Sequence, residues 1–250
     1  MLQTKSRNPF DDKLRRLMGD GFYVGNALLK PKTLREIVRR GYLNHMSLLR
    51  TLLITKEDLI ESEALHEFKD FTIYEIILGS QEENEFQATY IEALEYFFNA
   101  SYMAIDLETH TIAFEEGLFI DESAFNESIL ILKQQNMIQD ETVKQTNENP
   151  VDEKTRKILE KLNKGKKKVE EVKRKENQSS QNIDFYSIVS AVSTKSNTIS
   201  KFNIWDLTLV QLYDEYERLQ LIDGYDTSIL AMTQGAEIKN LQHWSSVVEE

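Results

Sequence analysis

Apolar residues recur every three or four positions over most of the chain, the spacing that places them on one face of an α-helix. Between residues 84 and 99, for example, Phe86, Tyr90, Leu94 and Phe97 follow this spacing. Such a stripe is typical of a helix face that packs in a protein core. The same pattern predicts further helical segments at 34–38, 45–54, 59–65, 72–78 and 125–132.

Several of these segments begin at residues that cap helices. Thr33 and Glu36 form a capping-box pattern, in which a hydroxyl and a carboxylate satisfy unpaired amides of the first helical turn. The run from Thr55 to Asp58 indicates a second helix start, and Asp121 or Ser123 can cap the segment that follows. Gly41 is expected to interrupt the first of these helices.

Two segments depart from helical spacing. Between Tyr102 and Phe114, apolar residues alternate with small or polar ones on both sides of Glu108-Thr109-His110, which predicts a small β-hairpin. The first 30 residues contain Gly19, Gly21 and Gly25, but their spacing is a poor match to a dinucleotide-binding fingerprint. We interpret this opening segment as a turn-rich lead-in.

Residues 139–181 are rich in both charges and poor in apolar side chains. Such a segment cannot bury enough surface to offset its ordering entropy, which predicts a flexible or solvated helical linker. It divides the chain into a mainly helical N-terminal domain (1–138), the linker (139–181) and a helical C-terminal interaction module (182–250). An alternative to the linker is that the basic run Lys164–Lys168 forms an arm that binds nucleic acid. Acidic neighbours reduce the positive charge of this run, and no aromatic residue is interleaved to stack on bases.

The C-terminal module combines short apolar stripes with aromatic residues. One stripe is predicted to run from Trp205 to Leu219 and to end at Asp223-Gly224. Asp226 would cap a following helix, and Ile238, Leu241 and Trp244 would form the last stripe. Because a module of this size is marginal alone, we expect it to pack against a partner, another copy or the N-terminal domain.

Composition limits the function further. The chain carries 42 acidic and 30 basic residues, a net charge of -12, which disfavours binding to nucleic acid or anionic lipid. It has no cysteine, and it shows no signal-peptide segment and no apolar run long enough to span a membrane. These features predict a soluble intracellular protein.

No pattern for catalysis is evident. The four histidines are scattered, and the half-motif Glu63-x-x-His66 has no second copy of the kind that di-iron bundles use. Nucleophile-elbow, phosphate-loop and zinc-protease motifs are also missing from the sequence. We therefore expect no catalytic residues, no cofactor and no metal site, and we interpret the protein as a non-enzyme.

The string NIWDLTLVQLYDEYERLQLIDGYDTSILAMTQGA, followed by LQHW, resembles tail assembly chaperones of bacteriophages that infect low-GC Gram-positive bacteria. The segments FTIYEIILG and YIEALEYFF are similar in character. The resemblance implies a mainly helical protein that binds the tape-measure protein or tail tube subunits in the host cytoplasm. It implies no catalytic residue.

The partner contact is predicted in the C-terminal module, because aromatic side chains dominate interface energetics. The candidate partner-binding residues are Trp205, Leu209, Tyr213, Tyr216 and Trp244, with Tyr213 beside the main stripe and facing outward. Self-association of the protein is a further expectation. The alternative function is a structural virion protein, such as a connector or baseplate component, which would remain in the finished particle.

Overall fold

The computed structural model of the chain describes residues 8–60, 66–79, 85–138, 184–238 and 241–246. The predicted linker, with its basic run, lies outside these ranges. The described residues are mainly helical, and two small antiparallel sheets form a sizeable part of them. The helices are α1 (Pro9–Met18), α2 (Leu34–Arg40), α3 (Tyr42–Leu52), α4 (Lys56–Leu59), α5 (Ile73–Gly79), α6 (Glu85–Phe98), α7 (Glu122–Gln135), α8 (Phe185–Lys195) and α9 (Leu209–Thr233).

The strands form two separate sheets. β1 (Phe22–Val24) pairs with β2 (Ala27–Leu29), and β3 (Tyr102–Asp106), β4 (Thr111–Phe114) and β5 (Phe119–Ile120) pair in that order. Strands β3 and β4 confirm the predicted hairpin, whereas β5 extends it into a sheet that the alternating pattern did not indicate. The side chain of Asn26 connects the two sheets, because it donates to the Gly117 carbonyl and accepts from the Phe119 amide.

The chain divides into two compact units. The first comprises Met1–Ile138 together with Val192–Glu250, and the second comprises Gln139–Ala191, of which 184–191 are described. The C-terminal residues of the first unit therefore pack with the N-terminal domain, one of the three arrangements expected for them. The domain boundaries near 138 and 181 stay a prediction.

The core of the first unit is built from both sheets and from α3, α5, α6 and α7. Tyr74 of α5 lies fully inside it, and its hydroxyl donates to the Ile120 carbonyl at 2.7 Å. The ring of Phe125 in α7 packs 5.2 Å from the Tyr74 ring. Burial raises the pKa of Tyr74 to about 12, so this hydroxyl stays protonated and acts as a structural donor.

The predicted helix starts in the N-terminal half are confirmed. Thr33 and Glu36 form the capping box of α2, with Thr33 N donating to Glu36 Oε2 at 2.8 Å. Gly41 separates α2 from α3, and Asp121 rather than Ser123 caps α7 by accepting from the Ala124 amide at 2.8 Å. Thr55 begins the short α4 with a second capping box.

The interpretation of residues 1–30 as a turn-rich lead-in is wrong for the described part. Asn8 caps α1, Pro9 occupies its first turn, and Gly19 ends it with a left-handed φ of 80°. Strands β1 and β2 then form a hairpin around Gly25-Asn26, where Gly25 has φ 59°. This positive φ is what a tight two-residue hairpin turn requires of its first central residue.

The predicted helix boundaries in the C-terminal part are also wrong. Trp205 lies in a 3₁₀ turn, Ile204–Asp206, and α9 starts only at Leu209. The helix continues through Asp223-Gly224 and Asp226 to Thr233, so neither the stop nor the new cap occurs there. Within residues 236–238 and 241–246 the chain forms no helix, and the predicted last stripe lies in irregular structure.

A candidate partner-binding surface on the C-terminal helix

Helix α9 begins at a capping box that the sequence analysis missed. Thr208 N donates to Gln211 Oε1 at 2.8 Å, and Gln211 N donates to Thr208 Oγ1 at 3.3 Å. The signal was the spacing of Thr208 and Gln211 immediately before an apolar run. The helix contains 25 residues and is therefore about 37 Å long at about 1.5 Å per residue.

The start of α9 is fixed to the N-terminal part of the unit by backbone contacts. Leu34 N donates to the Leu207 carbonyl at 2.8 Å, and Thr33 and Thr208 form an isolated antiparallel bridge. The side chain of Gln211 donates to the Leu17 carbonyl at 2.9 Å. These bonds set the position of α9 relative to α1 and α2.

An ion pair adds to this attachment. Arg35 Nη2 donates to Asp206 Oδ1 at 2.8 Å, and both side chains are largely exposed. Exposed pairs contribute little to stability, so we assign this one to orientation and the backbone contacts to stabilisation.

Burial along α9 is confined to its first turn. Leu209, Val210 and Leu212 are buried, whereas every residue of the helix from Tyr213 onward is half-buried or exposed. The last turns carry Ile229, Leu230 and Met232, all of which are exposed apolar side chains. A helix that begins in the core and ends in an exposed apolar segment presents surface that a partner can cover.

Of the five predicted partner-binding residues, Trp205 and Leu209 are held within the protein. Leu209 is buried, so its side chain packs in the unit's own interior. Trp205 is half-buried, and its Nε1–H donates to the Lys201 carbonyl at 2.9 Å. Neither side chain is freely presented on the surface.

Tyr213 and Tyr216 lie one and two turns further along α9. Helical spacing places them on the same side as Leu209, and both are half-buried. Burial raises the pKa of Tyr213, and the nearby Tyr42 hydroxyl raises it further. Tyr213 is therefore partly enclosed, where the sequence analysis expected it to face outward.

Trp244 remains an accessible candidate, at 46% exposed. Arg218 of α9 holds the backbone of Trp244 and of the residues that follow it, because Arg218 Nη1 donates to the carbonyls of Trp244 at 2.8 Å and Ser246 at 2.9 Å. The His243 ring lies 5.4 Å from the Trp244 ring and 5.2 Å from the Tyr225 ring of α9. The tail thus lies beside α9 and adds aromatic surface to it.

Helix α1 carries a second apolar surface that the sequence analysis missed. Phe10, Leu14, Leu17 and Met18 are exposed and follow the helical spacing i, i+4, i+7, i+8. Two features of the sequence could have predicted this helix: the helix start Asn8-Pro9 before the stripe and the helix-ending Gly19 after it. The three glycines that follow, Gly19, Gly21 and Gly25, suggest a turn region and obscure this helix in the sequence.

A buried histidine is the principal alternative to a surface site. His45 of α3 has no exposed surface, and its Nε2 lies 2.9 Å from Asn136 Oδ1. Burial is the main cause that lowers the pKa of His45. With both ring nitrogens engaged and no opening to solvent, this histidine is a structural element rather than a proton donor to a substrate.

Charged side chains surround the same region. Lys32 Nζ lies 4.7 Å from the centre of the Tyr96 ring, and the guanidinium of Arg40 lies 5.4 Å from it. Burial lowers the pKa of Lys32 and raises that of Tyr96 to about 12. Arg40 also pairs with Glu92. These contacts are cation–π and ionic links that join α2, and Lys32 just before it, to α6, and we interpret them as packing interactions.

Among the described residues, no group of three histidine, cysteine, aspartate or glutamate side chains could hold a metal ion. Glu63 of the predicted half-motif lies outside the described residues, so that motif is not placed. The expected absence of metal and cofactor stays a prediction. Across the helices that the structure describes, none is both long and apolar enough to cross a membrane.

The C-terminal part of the chain matches a known protein family. Residues 173–249 match the family model described as the YomV second domain. No curated protein and no solved structure matches the chain significantly. The matched range contains α8, α9 and the Trp244 tail, and it covers less than half of the chain. This match suggests a phage-derived protein with a YomV-like C-terminal region.

Proposed function

We propose that this protein is a non-enzymatic phage tail assembly chaperone, which binds tape-measure or tail subunits in the host cytoplasm. The observation that carries the proposal is the exposed apolar end of α9, within the region that matches a phage family. Tape-measure proteins are long helical chains whose apolar stripes need cover until the tail tube closes around them. A soluble partner with an exposed apolar helix end can provide that cover.

Within this proposal, the contact surface consists of the end of α9 and the tail beside it. Ile229, Leu230 and Met232 supply the apolar side chains, and Trp244 supplies an aromatic anchor. Tyr213 and Tyr216 are secondary candidates because they are only partly accessible. The acidic net charge of -12 keeps the complex soluble while the subunit waits for assembly.

Co-purification with phage tail proteins tests the contact surface. Leu230→Asp should reduce capture of the tail subunit, because it places a charge in the proposed apolar contact. Leu130→Asp is a matched control, since Leu130 lies on α7 and is 58% exposed against 60% for Leu230. Equal capture by wild type and Leu230→Asp, or equal loss by both variants, would contradict the proposal.

The alternative function, a structural virion protein, differs from a chaperone in whether the protein remains in the finished particle. A chaperone is released when the tail closes, so mass spectrometry of purified virions should detect none of it. A fixed copy number in every particle would favour the connector or baseplate function instead.

A further inference from the structure

A cleft of about 540 Å³ lies between the β1–β2 hairpin, the start of α2 and the end of α6, within the first unit. The apolar residues that line it are Leu28, Pro31, Phe97, Phe98 and Leu118. The charged residues of its lining are Lys30, Lys32 and Glu36. None of the five residues predicted to bind a partner lies there. This volume, and the mixture of apolar residues with a few charged ones, are typical of small-molecule sites.

Lys32 is a buried cation, because only 9% of its side chain is exposed. Its Nζ lies 4.0 Å from Glu36 Oε1, too far for a hydrogen bond, and 4.7 Å from the centre of the Tyr96 ring. The face of this ring attracts the charge, but it offers no lone pair to the three N–H groups of the ammonium. Among the residues that the structure describes, none accepts a hydrogen bond from this Nζ. Burial therefore disfavours the charged form and lowers the pKa of Lys32.

Glu36 cannot approach Lys32 more closely without losing its place in the cap of α2. Its Oε2 accepts from Thr33 N at 2.8 Å and from Thr33 Oγ1 at 2.7 Å. About half of the Glu36 side chain is exposed, so solvent screens the attraction that remains. The two lysines and Glu36 together give the cleft one net positive charge, in a chain whose net charge is -12. The cleft therefore favours an anion that the rest of the surface repels.

We propose that this cleft binds a small organic carboxylate, whose charged group pairs with Lys32 and whose apolar body lies along Leu28, Pro31 and Leu118. One carboxylate matches the single net charge of the lining and supplies a hydrogen-bond acceptor to the buried ammonium. The apolar body follows from those three residues, which are only half-buried and which a bare anion would leave in contact with water. The proposal is independent of the chaperone function, since it involves neither α9 nor the Trp244 tail.

Isothermal titration calorimetry of the full chain with 3-phenylpropionate tests the charged contact. The wild type should bind this probe, and the neutral analogue 3-phenylpropionamide should bind at least about tenfold more weakly, because it brings no charge to the ammonium. Lys32→Met keeps most of the apolar stem and removes the charge, so it should weaken binding of 3-phenylpropionate by about tenfold or more. Lys201→Met is the control, since Lys201 is exposed, lies outside the cleft and carries the same charge.

A measurement on the wild type locates the bound probe without any substitution. Acetic anhydride acetylates lysine amines, and mass spectrometry of the digested protein measures the rate at each lysine. Bound 3-phenylpropionate should slow the acetylation of Lys32 and leave that of Lys201 unchanged. This readout also applies if Lys32→Met does not fold, and equal rates at Lys32 with and without the probe would contradict the site.

A wild-type protein that does not bind 3-phenylpropionate at millimolar concentrations would overturn the proposal. Equal binding of the amide, or equal binding by Lys32→Met, would also overturn it, because the charge would then contribute nothing. Inorganic phosphate that binds as tightly as 3-phenylpropionate, with the same dependence on Lys32, would assign the cleft to a bare anion instead. Capture of the tail subunit is a separate readout, because Leu230→Asp leaves the residues of the cleft unchanged.

Discussion

The hydroxyl of Tyr96 lies 3.1 Å from Nδ1 of His45, deep between α3 and α6. The other ring nitrogen faces the side-chain oxygen of Asn136, which can only accept. These partners assign the hydrogen to Nε2 and make Nδ1 the acceptor of the Tyr96 hydroxyl. The neutral ring therefore satisfies all of its hydrogen bonds without any charge in the core.

This geometry predicts a pH dependence of stability. The pKa of His45 in the folded protein lies below its ordinary value of 6.5. The unfolded chain therefore binds a proton that the folded one does not, and stability is lost as pH falls through 6.5 toward the folded pKa. Urea titrations at pH values between 8 and 5 should show this loss in the wild type. His45→Gln should flatten this part of the profile, and identical profiles would contradict the assignment.

Tyr96→Phe should destabilise the protein while keeping the ring that Lys32 and Arg40 contact. The change leaves Nδ1 of His45 buried without its donor, which costs about 1–3 kcal/mol in the free energy of unfolding. Tyr186→Phe, at an exposed position of α8, is the control and should change stability by less than about 0.5 kcal/mol. A similar effect of both substitutions would show that the bond to His45 contributes nothing specific.

Thr208→Ala should destabilise the unit by about 1–2 kcal/mol, because it removes the buried cap of α9. Thr227→Ala, in the exposed middle of the same helix, serves as the reference for loss of a threonine. Thermal unfolding followed by circular dichroism measures both. If Thr227→Ala destabilised the protein as much as Thr208→Ala does, the capping role of Thr208 would be excluded.

Gly224→Ala should stabilise the protein by about 0.5–1 kcal/mol. Gly224 lies inside α9, a Cβ there would meet no atom within 4 Å, and alanine is the better helix former. Gly25→Ala should do the opposite, because Gly25 has φ 59° in the turn of the β1–β2 hairpin. Destabilisation by Gly224→Ala would indicate that the helix ends near this residue, as the sequence alone suggested.

Local signals predicted the parts of the fold that local chemistry decides. The capping box at Thr33 and the cap at Asp121 need only residues three positions away, and both form as expected. The alternation between Tyr102 and Phe114 likewise predicted a hairpin. Its third strand, β5, is two residues long and pairs through tertiary contacts, so no periodicity could indicate it.

The course of α9 could not be decided locally. Asp223-Gly224 is a common helix ending, yet the helix continues because one glycine costs only about 1 kcal/mol and flanking turns offset it. Lys195 of α8 pairs with Asp223 in the same stretch. For the candidate site, the sequence indicated the aromatic residues of this region. It could not indicate that Leu209 is buried, since burial depends on how α9 packs against α1 and α7.

The bond from Leu34 to Leu207 has a consequence for the order of events during synthesis. Thr33 and Leu34 emerge from the ribosome well before the segment that completes their pairing, and the Gln211–Leu17 bond spans 194 residues. Translation proceeds at about 5–20 residues per second, so the 173 residues between Leu34 and Leu207 take about 9–35 s to synthesise, and the buried face of α2 stays uncovered for that time. We therefore expect the first unit to finish folding only after residue 211 has left the exit tunnel.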